Sequence, residues 1–224
     1  MIGFQIKKRV RAVSADMIGK FAQLPVANVS DVMSRMSAGG SRLRQMHNGT
    51  MMAGAAITVK TRPGDNLLVH KALTLAGPND VIVVDAGGDL TNAIIGEIMV
   101  SFAIKRNIAG IVINGAIRDA AALRAGSFPV FAAGVTHRGP YKDGPGEINT
   151  SIAIDGMVIN PGDLIVGDED GLLCIPYDLV EQVYQATAAK HAIEVKMMAD
   201  IANNTLDTSW IDNTLTRLNC EIEK

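Results

Sequence analysis

The sequence predicts a mixed α/β (α+β) domain, in which a compact sheet core is flanked by helices and followed by a helical C-terminal arm. Short apolar runs rich in β-branched residues alternate with segments of helical spacing through most of the chain. Two of these runs, residues 81–86 and 108–114, enclose a helical segment, which is the pattern of a βαβ unit with parallel strands. From about residue 177 onward the spacing is helical. These observations favour helices packed around a mixed sheet.

Length and composition fit a single domain. The chain has 224 residues, of which 48% are hydrophobic and 20% are charged, and this is enough to enclose a hydrophobic core. No internal repeat, low-complexity tract or interdomain linker interrupts it. We therefore predict one domain over residues 1–224, with its core at about 20–176 and the helical arm at about 177–224.

The first elements lead into the βαβ unit. In chain order we predict helices at 14–24 and 28–36, a strand at 53–61 and a helix at 66–76. Ser14 and either Asn28 or Ser30 are candidate N-caps, because their side-chain oxygens can accept from free amides of the first turn. The strand is apolar and β-branched, and it ends at the turn Arg62-Pro63-Gly64-Asp65.

The βαβ unit and the elements after it complete the sheet. Within the unit, a helix is predicted from near Thr91 to Arg106, between the strands at 81–86 and 108–114. The later elements are predicted as a helix at 119–125, a strand at 130–132, paired strands at 150–160 and 163–175, and helix from about 177. The two strands of the unit should be parallel.

Composition excludes several classes of partner. A net charge of −2 provides no basic field for a phosphate backbone, and only 4% of residues are aromatic, too few for base stacking. We therefore expect no nucleic-acid partner. The longest apolar stretches are strand-sized or broken by Lys105 and Arg106, so no membrane partner is expected. Cys174 and Cys220 cannot form a disulfide framework, which favours a reduced, cytoplasmic setting.

The βαβ geometry predicts a site at one edge of the sheet. The carboxyl end of a strand and the start of the next helix lie at the same edge, so Gly87-Gly88-Asp89, Gly96-Glu97 and Arg118-Asp119 should converge. Arg118 can bind a carboxylate bidentately, and helix N-terminal amides can donate to it. Asp119 and Glu97 offer hard oxygen ligands for Mg²⁺ or Mn²⁺.

Each of these groups also has a purely structural interpretation. Arg118 and Asp119 can form a surface pair that opens a helix, with Asp119 as its N-cap. Glu97 can be a solvated helix residue. Gly87-Gly88 can serve a turn alone, because GGDLTN lacks the spacing of a dinucleotide-binding loop.

Other reactive side chains give weaker signals. His70 has the position of a core or interface residue, His137 lies in a Gly/Pro-rich loop, and His47 and His191 have no evident partners. The spacing of His and Cys matches no structural zinc site. Cys174 lies in an apolar run and is expected to be buried, which disfavours a catalytic thiol.

Five segments together give a more specific signal. They are NVSDVMSRM (28–36), AGAAITVKTRPGDNLLVHKAL (53–73), GGDLTNAIIGEIM (87–99), GIVINGAIRD (110–119) and PGDLIVGDEDGLLCIP (161–176). With these segments the chain resembles the RraA-like family, which includes the 4-hydroxy-4-methyl-2-oxoglutarate (HMG/CHA) aldolases, over roughly residues 20 to 195. The resemblance implies the RraA-like swivelling-domain-type sandwich.

The resemblance also implies a catalytic signature, an acidic residue followed at fixed distance by Arg-Asp. Here Glu97 fills the acidic position and Arg118-Asp119 completes the signature after residues 98–117. The chain departs from the more familiar aldolase pattern in two places. Glu97 stands where Asp is usual, which keeps the charge and lengthens the reach by one methylene, and Asn114 stands where Asp is common.

Site roles follow from the same resemblance. Gly96-Glu97-Ile98-Met99 would bind the carboxylate and keto end of the substrate, largely through backbone amides. Arg118 would bind substrate, and Asp119 would hold the divalent cation, Mg²⁺ or Mn²⁺. Glu194 on the C-terminal arm would approach the site of a neighbouring subunit, since family members form homotrimers or homohexamers with sites at subunit interfaces.

The implied activity is that of a carbon–carbon lyase. It is a metal-dependent class II pyruvate aldolase that cleaves 4-hydroxy-4-methyl-2-oxoglutarate-type 2-oxo acids through a pyruvate enolate. Oxaloacetate decarboxylation passes through the same enolate, so one site could run both reactions. The alternative is a protein-binding regulator of ribonuclease E; in that branch the metal-site Asp is typically missing, so Asp119 favours the enzyme.

Overall fold

The computed structural model describes residues 3–36 and 41–222. The helices are α1 (Ala15–Phe21), α2 (Val26–Val32), α3 (Leu67–Leu75), α4 (Glu97–Lys105), α5 (Ala120–Ala125), α6 (Val180–Ala202) and α7 (Ser209–Arg217), and a 3₁₀ turn at Tyr177–Leu179 precedes α6. The strands are β1 (Phe4–Ile6), β2 (Arg44–Gln45), β3 (Met52–Thr61), β4 (Asp80–Asp85), β5 (Ala93–Ile95), β6 (Gly110–Ile117), β7 (Val130–Val135), β8 (Gly146–Ile148), β9 (Ile152–Ile154), β10 (Met157–Ile159), β11 (Leu164–Asp168) and β12 (Gly171–Ile175).

Most of the strands join in one mixed sheet. Its main path runs β1-β8-β3-β4-β6-β7-β2, and β3, β4, β6 and β7 are mutually parallel. The β11–β12 hairpin joins the sheet through antiparallel pairing of β11 with β3. This arrangement confirms the predicted mixed α/β fold and the parallel strands of the βαβ unit.

Both faces of the central strands are buried. In β4, Ile82 and Val84 pack in a cluster with α3 and α4, while Val81 and Val83 pack with Phe131 on the opposite face. Successive side chains of a strand point to opposite faces, so a strand covered on both sides must be apolar throughout. This explains the unbroken apolar run that predicts β4.

The helix predicted from Thr91 to Arg106 is wrong in its first part. Residues Ala93–Ile95 form β5, and the helix begins only at Glu97. β4 pairs with β6 as far as Asp85 opposite Asn114, and β5 then takes its place along the same strand. The pairing with β6 therefore overrides helical spacing in this segment.

Two other predictions need correction. The segments 150–160 and 163–175 each fold back on themselves, as the hairpins β9–β10 and β11–β12, instead of forming one long pair. Asp155 and Gly156 both have positive φ, and this backbone suits a two-residue turn between β9 and β10. The N-terminal helices are shorter than predicted, and Ser14 caps α1 by accepting a hydrogen bond from Met17 N.

The chain divides into two compact units, one up to Thr187 and one from Ala188. The first contains the sheet and helices α1–α5, and the second contains the later part of α6 together with α7. The sequence places the start of the arm near residue 177. The first turns of α6 belong to the first unit because Val180 and Val183 are buried in its core. Of the helices described, none is long and apolar enough to cross a membrane.

Candidate functional site

A cavity of about 190 Å³ lies at the start of α4, where β5 and β6 end. Four segments of the chain line it: the start of α3, the β5–α4 junction, the residues that follow β6, and the loop before β8. The lining residues are Asn66, His70, Ala93, Ile94, Ile95, Gly96, Ile98, Met99, Arg118, Asp119, Pro140 and Lys142. Predicted residues Gly96, Ile98, Met99, Arg118 and Asp119 are thus brought together.

Asp119 follows β6, and its side chain forms a hydrogen bond with the start of α4. It is in the left-handed region, with φ of 55°, a conformation that Asp and Asn tolerate better than most residues. It stands at the N-cap position of α5, but its side chain makes no capping bond there. Instead, its Oδ2 accepts a hydrogen bond from Glu97 N at 2.9 Å, satisfying a free amide at the start of α4. Asp119 therefore does not cap the helix it precedes.

Gly96 permits this contact because it has no side chain. A Cβ at this position would lie against the Asp119 carboxylate and 3.0 Å from Arg118 Cγ. The φ of −153° is ordinary extended backbone, so space and not conformation makes glycine necessary here. The Arg-Asp pair that follows β6 can therefore pack this closely only against a glycine before α4.

Positive charge exceeds negative charge in the cavity lining. Arg118 and Lys142 provide two cations, against the single carboxylate of Asp119. Arg118 Nε lies 3.9 Å from Asp119 Oδ2, too far for a hydrogen bond, so the guanidinium keeps donors for another anion. Partial burial and the charge of Lys142 lower the pKa of His70, which lies on α3 at the same cavity.

Asn66 contributes a buried polar atom to the cavity lining. Its Nδ2 donates to the carbonyl oxygen of Ile94 at 2.9 Å, which fixes the side chain against β5. Its Oδ1 is buried and accepts no hydrogen bond from any residue that the structure describes. A buried acceptor of this kind is costly unless water or a ligand donates to it.

The cavity provides one carboxylate for a cation. Among residues 3–36 and 41–222, no group of three His, Cys, Asp or Glu side chains is placed to hold a metal ion. This donor set does not fit zinc, which takes three or four protein ligands. It fits Mg²⁺, which keeps several waters and is often bound by one or two carboxylates and the substrate. Asp119 is the residue that would hold the ion.

Some predicted site residues lie elsewhere. Gly87-Gly88-Asp89 does not line the cavity, so that part of the predicted convergence is wrong. These residues stay at the end of β4, where Gly88 N donates to Asn114 O, and the chain reaches α4 only after β5. Glu97 contributes its backbone amide to the contact with Asp119, and it lines a separate groove between α4 and α5. Glu194 lies on α6 in the second unit, paired with Lys190.

Sequence reasoning missed Asn66, Pro140 and Lys142. The spacing of Asn66 and His70, one helical turn apart, could have placed both on one face of α3. His70, predicted as a core or interface residue, is not in the core, because it is exposed at the cavity. Nothing local in the sequence marks Lys142.

Two further residues change or keep their interpretation. His47, predicted without partners, is buried, with Nδ1 accepting from Val130 N and Nε2 donating to Thr50 O at 2.7 Å, so its role is structural. Cys174 is buried as predicted, and burial raises the pKa of its thiol.

Comparisons with known proteins find similar sequences. The profile of the family described as "RraA-like: Aldolase/RraA" matches residues 26–174. A protein of Halalkalibacterium halodurans named "Putative 4-hydroxy-4-methyl-2-oxoglutarate aldolase" is 40% identical over 191 residues, covering 85% of this chain and 91% of its own.

Solved structures show the same fold. The RNA-processing inhibitor RraA from Thermus thermophilus is 30% identical with a TM-score of 0.64, and the match covers 69% of this chain and 93% of the other. An uncharacterized protein from Pseudomonas syringae pv. tomato has a TM-score of 0.78 at 24% identity, with 87% of this chain and 96% of the other covered.

Proposed function

The chain belongs to the RraA-like (Aldolase/RraA) family, and on this premise we propose that it is a divalent-metal-dependent class II pyruvate aldolase. Its substrates are 2-oxo acids of the 4-hydroxy-4-methyl-2-oxoglutarate type, which it cleaves to pyruvate through the pyruvate enolate. The observation that carries the proposal is that Asp119, Arg118, Lys142 and the start of α4 line one cavity.

The excess positive charge of the cavity suits a small dicarboxylate. Arg118 presents a planar fork of N–H donors that can bind a carboxylate bidentately, and Lys142 adds a second positive charge. The first turn of α4 places backbone amides and the positive end of the helix dipole at the same cavity. Together these groups bind the anionic end of the substrate and fix its orientation.

Asp119 is the cation ligand in this proposal. Glu97 N holds its Oδ2, which fixes the carboxylate in one orientation. The side chain remains 41% exposed, so the carboxylate is open to a hydrated ion. When bound, a Mg²⁺ or Mn²⁺ ion supplies a Lewis acid that stabilises negative charge developing on the keto oxygen.

Cleavage also requires a base that removes the proton of the 4-hydroxyl group. We propose that the enzyme is a homotrimer or homohexamer in the cytoplasm and that Glu194, supplied by a neighbouring subunit, approaches this group. Glu194→Gln should then lower turnover while leaving binding of oxalate, a small dianion, unchanged. Loss of oxalate binding together with turnover would contradict that assignment.

The central test measures pyruvate release. Purified protein is given 4-hydroxy-4-methyl-2-oxoglutarate or oxaloacetate with Mg²⁺, with Mn²⁺, or with EDTA, and pyruvate is followed by a coupled reductase. We expect turnover with metal and its loss with EDTA. Calorimetry with Mn²⁺ alone measures metal binding without turnover. Equal inactivity under all conditions would contradict the proposal.

Regulation of ribonuclease E is the second candidate function. The observation that favours it is the likeness to the RNA-processing inhibitor RraA of Thermus thermophilus, at 30% identity. The presence of Asp119 in the cavity favours the enzyme over this alternative. Potent inhibition of the ribonuclease by a protein that releases no pyruvate would reverse the order of the two.

A further inference from the structure

We propose that Asp65 is a positioning residue for this site: its buried carboxylate holds the loop at residues 138–144 in place, so that Lys142 stands at the cavity. The inference rests on the proposed function, because it assigns Lys142 to substrate binding. Asp65 itself does not line the cavity, and it acts only through the loop.

The Asp65 carboxylate is fully buried and accepts from two separate segments. Its Oδ1 accepts from Leu67 N at 2.9 Å, at the start of α3. Its Oδ2 accepts from Asp143 N at 2.7 Å and from Gly144 N at 2.8 Å, in the loop before β8. The guanidinium of Arg62 lies 3.2 Å from the same oxygen. One side chain thus ties the loop to the helix that carries His70.

The other end of the loop is also held. Ala93 N donates to Arg138 O at 2.8 Å, and Asn92 Nδ2 donates to Gly139 O at 2.5 Å. In the middle, Tyr141 exchanges backbone hydrogen bonds with the turn before α3, donating to Gly64 O and accepting from Asn66 N. The two residues of the loop that line the cavity, Pro140 and Lys142, lie between these anchors.

Of the residues that the structure describes, Asp65 alone holds this loop through hydrogen bonds to a charged side chain. Hydrogen bonds to a carboxylate are shorter and stronger than bonds between neutral groups, and here they replace the water that burial removes. Residues 142–145 form neither helix nor strand, so their order depends on such bonds. The long side chain of Lys142 then starts from a fixed backbone, and less entropy is lost when it binds an anion.

The test compares Asp65→Asn with a matched variant, Asp163→Asn. Asp163 is also a buried carboxylate that accepts from two backbone amides, Asn160 N at 2.8 Å and Tyr177 N at 2.9 Å, but it lies away from the cavity. Asparagine has only one acceptor oxygen, so Asp65→Asn cannot keep both sets of bonds. In one orientation its NH₂ group faces the amides of Asp143 and Gly144, and in the other the bond from Leu67 N is lost. We expect KM for oxaloacetate to rise about tenfold with kcat little changed, while Asp163→Asn leaves KM unchanged.

A double-mutant cycle separates positioning from general damage. In a Lys142→Gln background, Asp65→Asn should raise KM no further, because its effect passes through Lys142. Additive effects of the two substitutions would overturn the inference. So would a KM in Asp65→Asn that matches the KM of Asp163→Asn.

Hydrogen exchange tests the inference without any need for turnover. In the wild-type protein the amides of Asp143 and Gly144 should exchange at least tenfold more slowly than unprotected amides, and Asp65→Asn should remove this protection. Unprotected amides in the wild type, or protection unchanged in the variant, would overturn the inference. A wild type that releases no pyruvate would contradict the proposed function, and exchange alone would then decide the role of Asp65.

Discussion

Two polar clusters lie where the parallel strands of the sheet end, and they differ in how their charges are paired. The cluster at the end of β4 is closed: Arg42 bonds to Asp155 at 2.7 Å and to Asn114 Oδ1 at 3.3 Å, and Asn114 Nδ2 bonds to Asp85 at 3.1 Å. The cluster at the end of β5 is open: Arg118 stands 3.9 Å from the nearest Asp119 oxygen beside a cavity.

The comparison shows that strand topology alone does not identify a site. The same rule, that ligands bind beyond the carboxyl ends of parallel strands, selects both clusters. What separates them is whether the charged groups already neutralise one another. The charged groups of the β4 cluster are joined to one another by hydrogen bonds. The β5 cluster instead presents a guanidinium, an ammonium and the buried Asn66 Oδ1 at a cavity.

The largest expected difference is in the activity of two variants, one with Asp119 and one with Asp85 replaced by asparagine. Asp119→Asn keeps an oxygen for Glu97 N and tolerates the left-handed backbone, but it removes the charge that would hold a cation. We expect kcat/KM to fall by about 10³-fold or more, with the melting temperature nearly unchanged. Asp85→Asn, at the closed cluster, should change kcat/KM less than about threefold. Retained turnover in Asp119→Asn would show that Asp119 has only a structural role, as the hydrogen-bond acceptor for Glu97 N at the start of α4.

The next difference concerns the two arginines. Arg118→Gln removes the charged donor that we propose for the substrate carboxylate, worth about 1.5–3 kcal/mol, and should lower kcat/KM roughly 10- to 10²-fold without affecting stability. Arg42→Gln breaks a half-exposed ion pair with Asp155 and should cost at most about 1 kcal/mol of stability, with turnover unchanged. Kinetics and thermal unfolding of both variants measure the contrast. Loss of turnover in Arg42→Gln would place the closed cluster in the site.

A smaller effect is expected from the glycine before α4. Gly96→Ala would push the Asp119 carboxylate away from Glu97 N, and we expect roughly a tenfold loss of kcat/KM from this displacement. Gly77→Ala is the control, because a Cβ there meets nothing within 4 Å. Equal activity of the two alanine variants would mean that the Asp119 side chain can shift without consequence.

The sequence predicts the sheet better than it predicts the cavity. β3, β4 and β6 follow from buried apolar runs, and the βαβ rule brings Arg118-Asp119 to the start of α4. β5 is not predicted, because Ala93–Ile95 is as apolar as the helix that follows. This segment is extended because it pairs with β6. Lys142 reaches the cavity through hydrogen bonds between Asp65 and a loop far along the chain, which no local pattern records.

The smallest expected effect is a pH dependence of anion binding. Partial burial and Lys142 lower the pKa of His70, so the ring is neutral at pH 7 and gains a proton only under acidic conditions. Below pH 6.5, its usual value, protonation adds a third positive charge to the cavity, and oxalate should bind roughly two- to fivefold more tightly. Stability should change in the opposite direction: the unfolded chain binds more protons here, so unfolding becomes easier as pH falls. Calorimetry of oxalate binding between pH 7.5 and 5 tests the expected change in affinity, and His70→Gln should remove this change. If the affinity of His70→Gln depends on pH as that of the wild type does, another group is responsible.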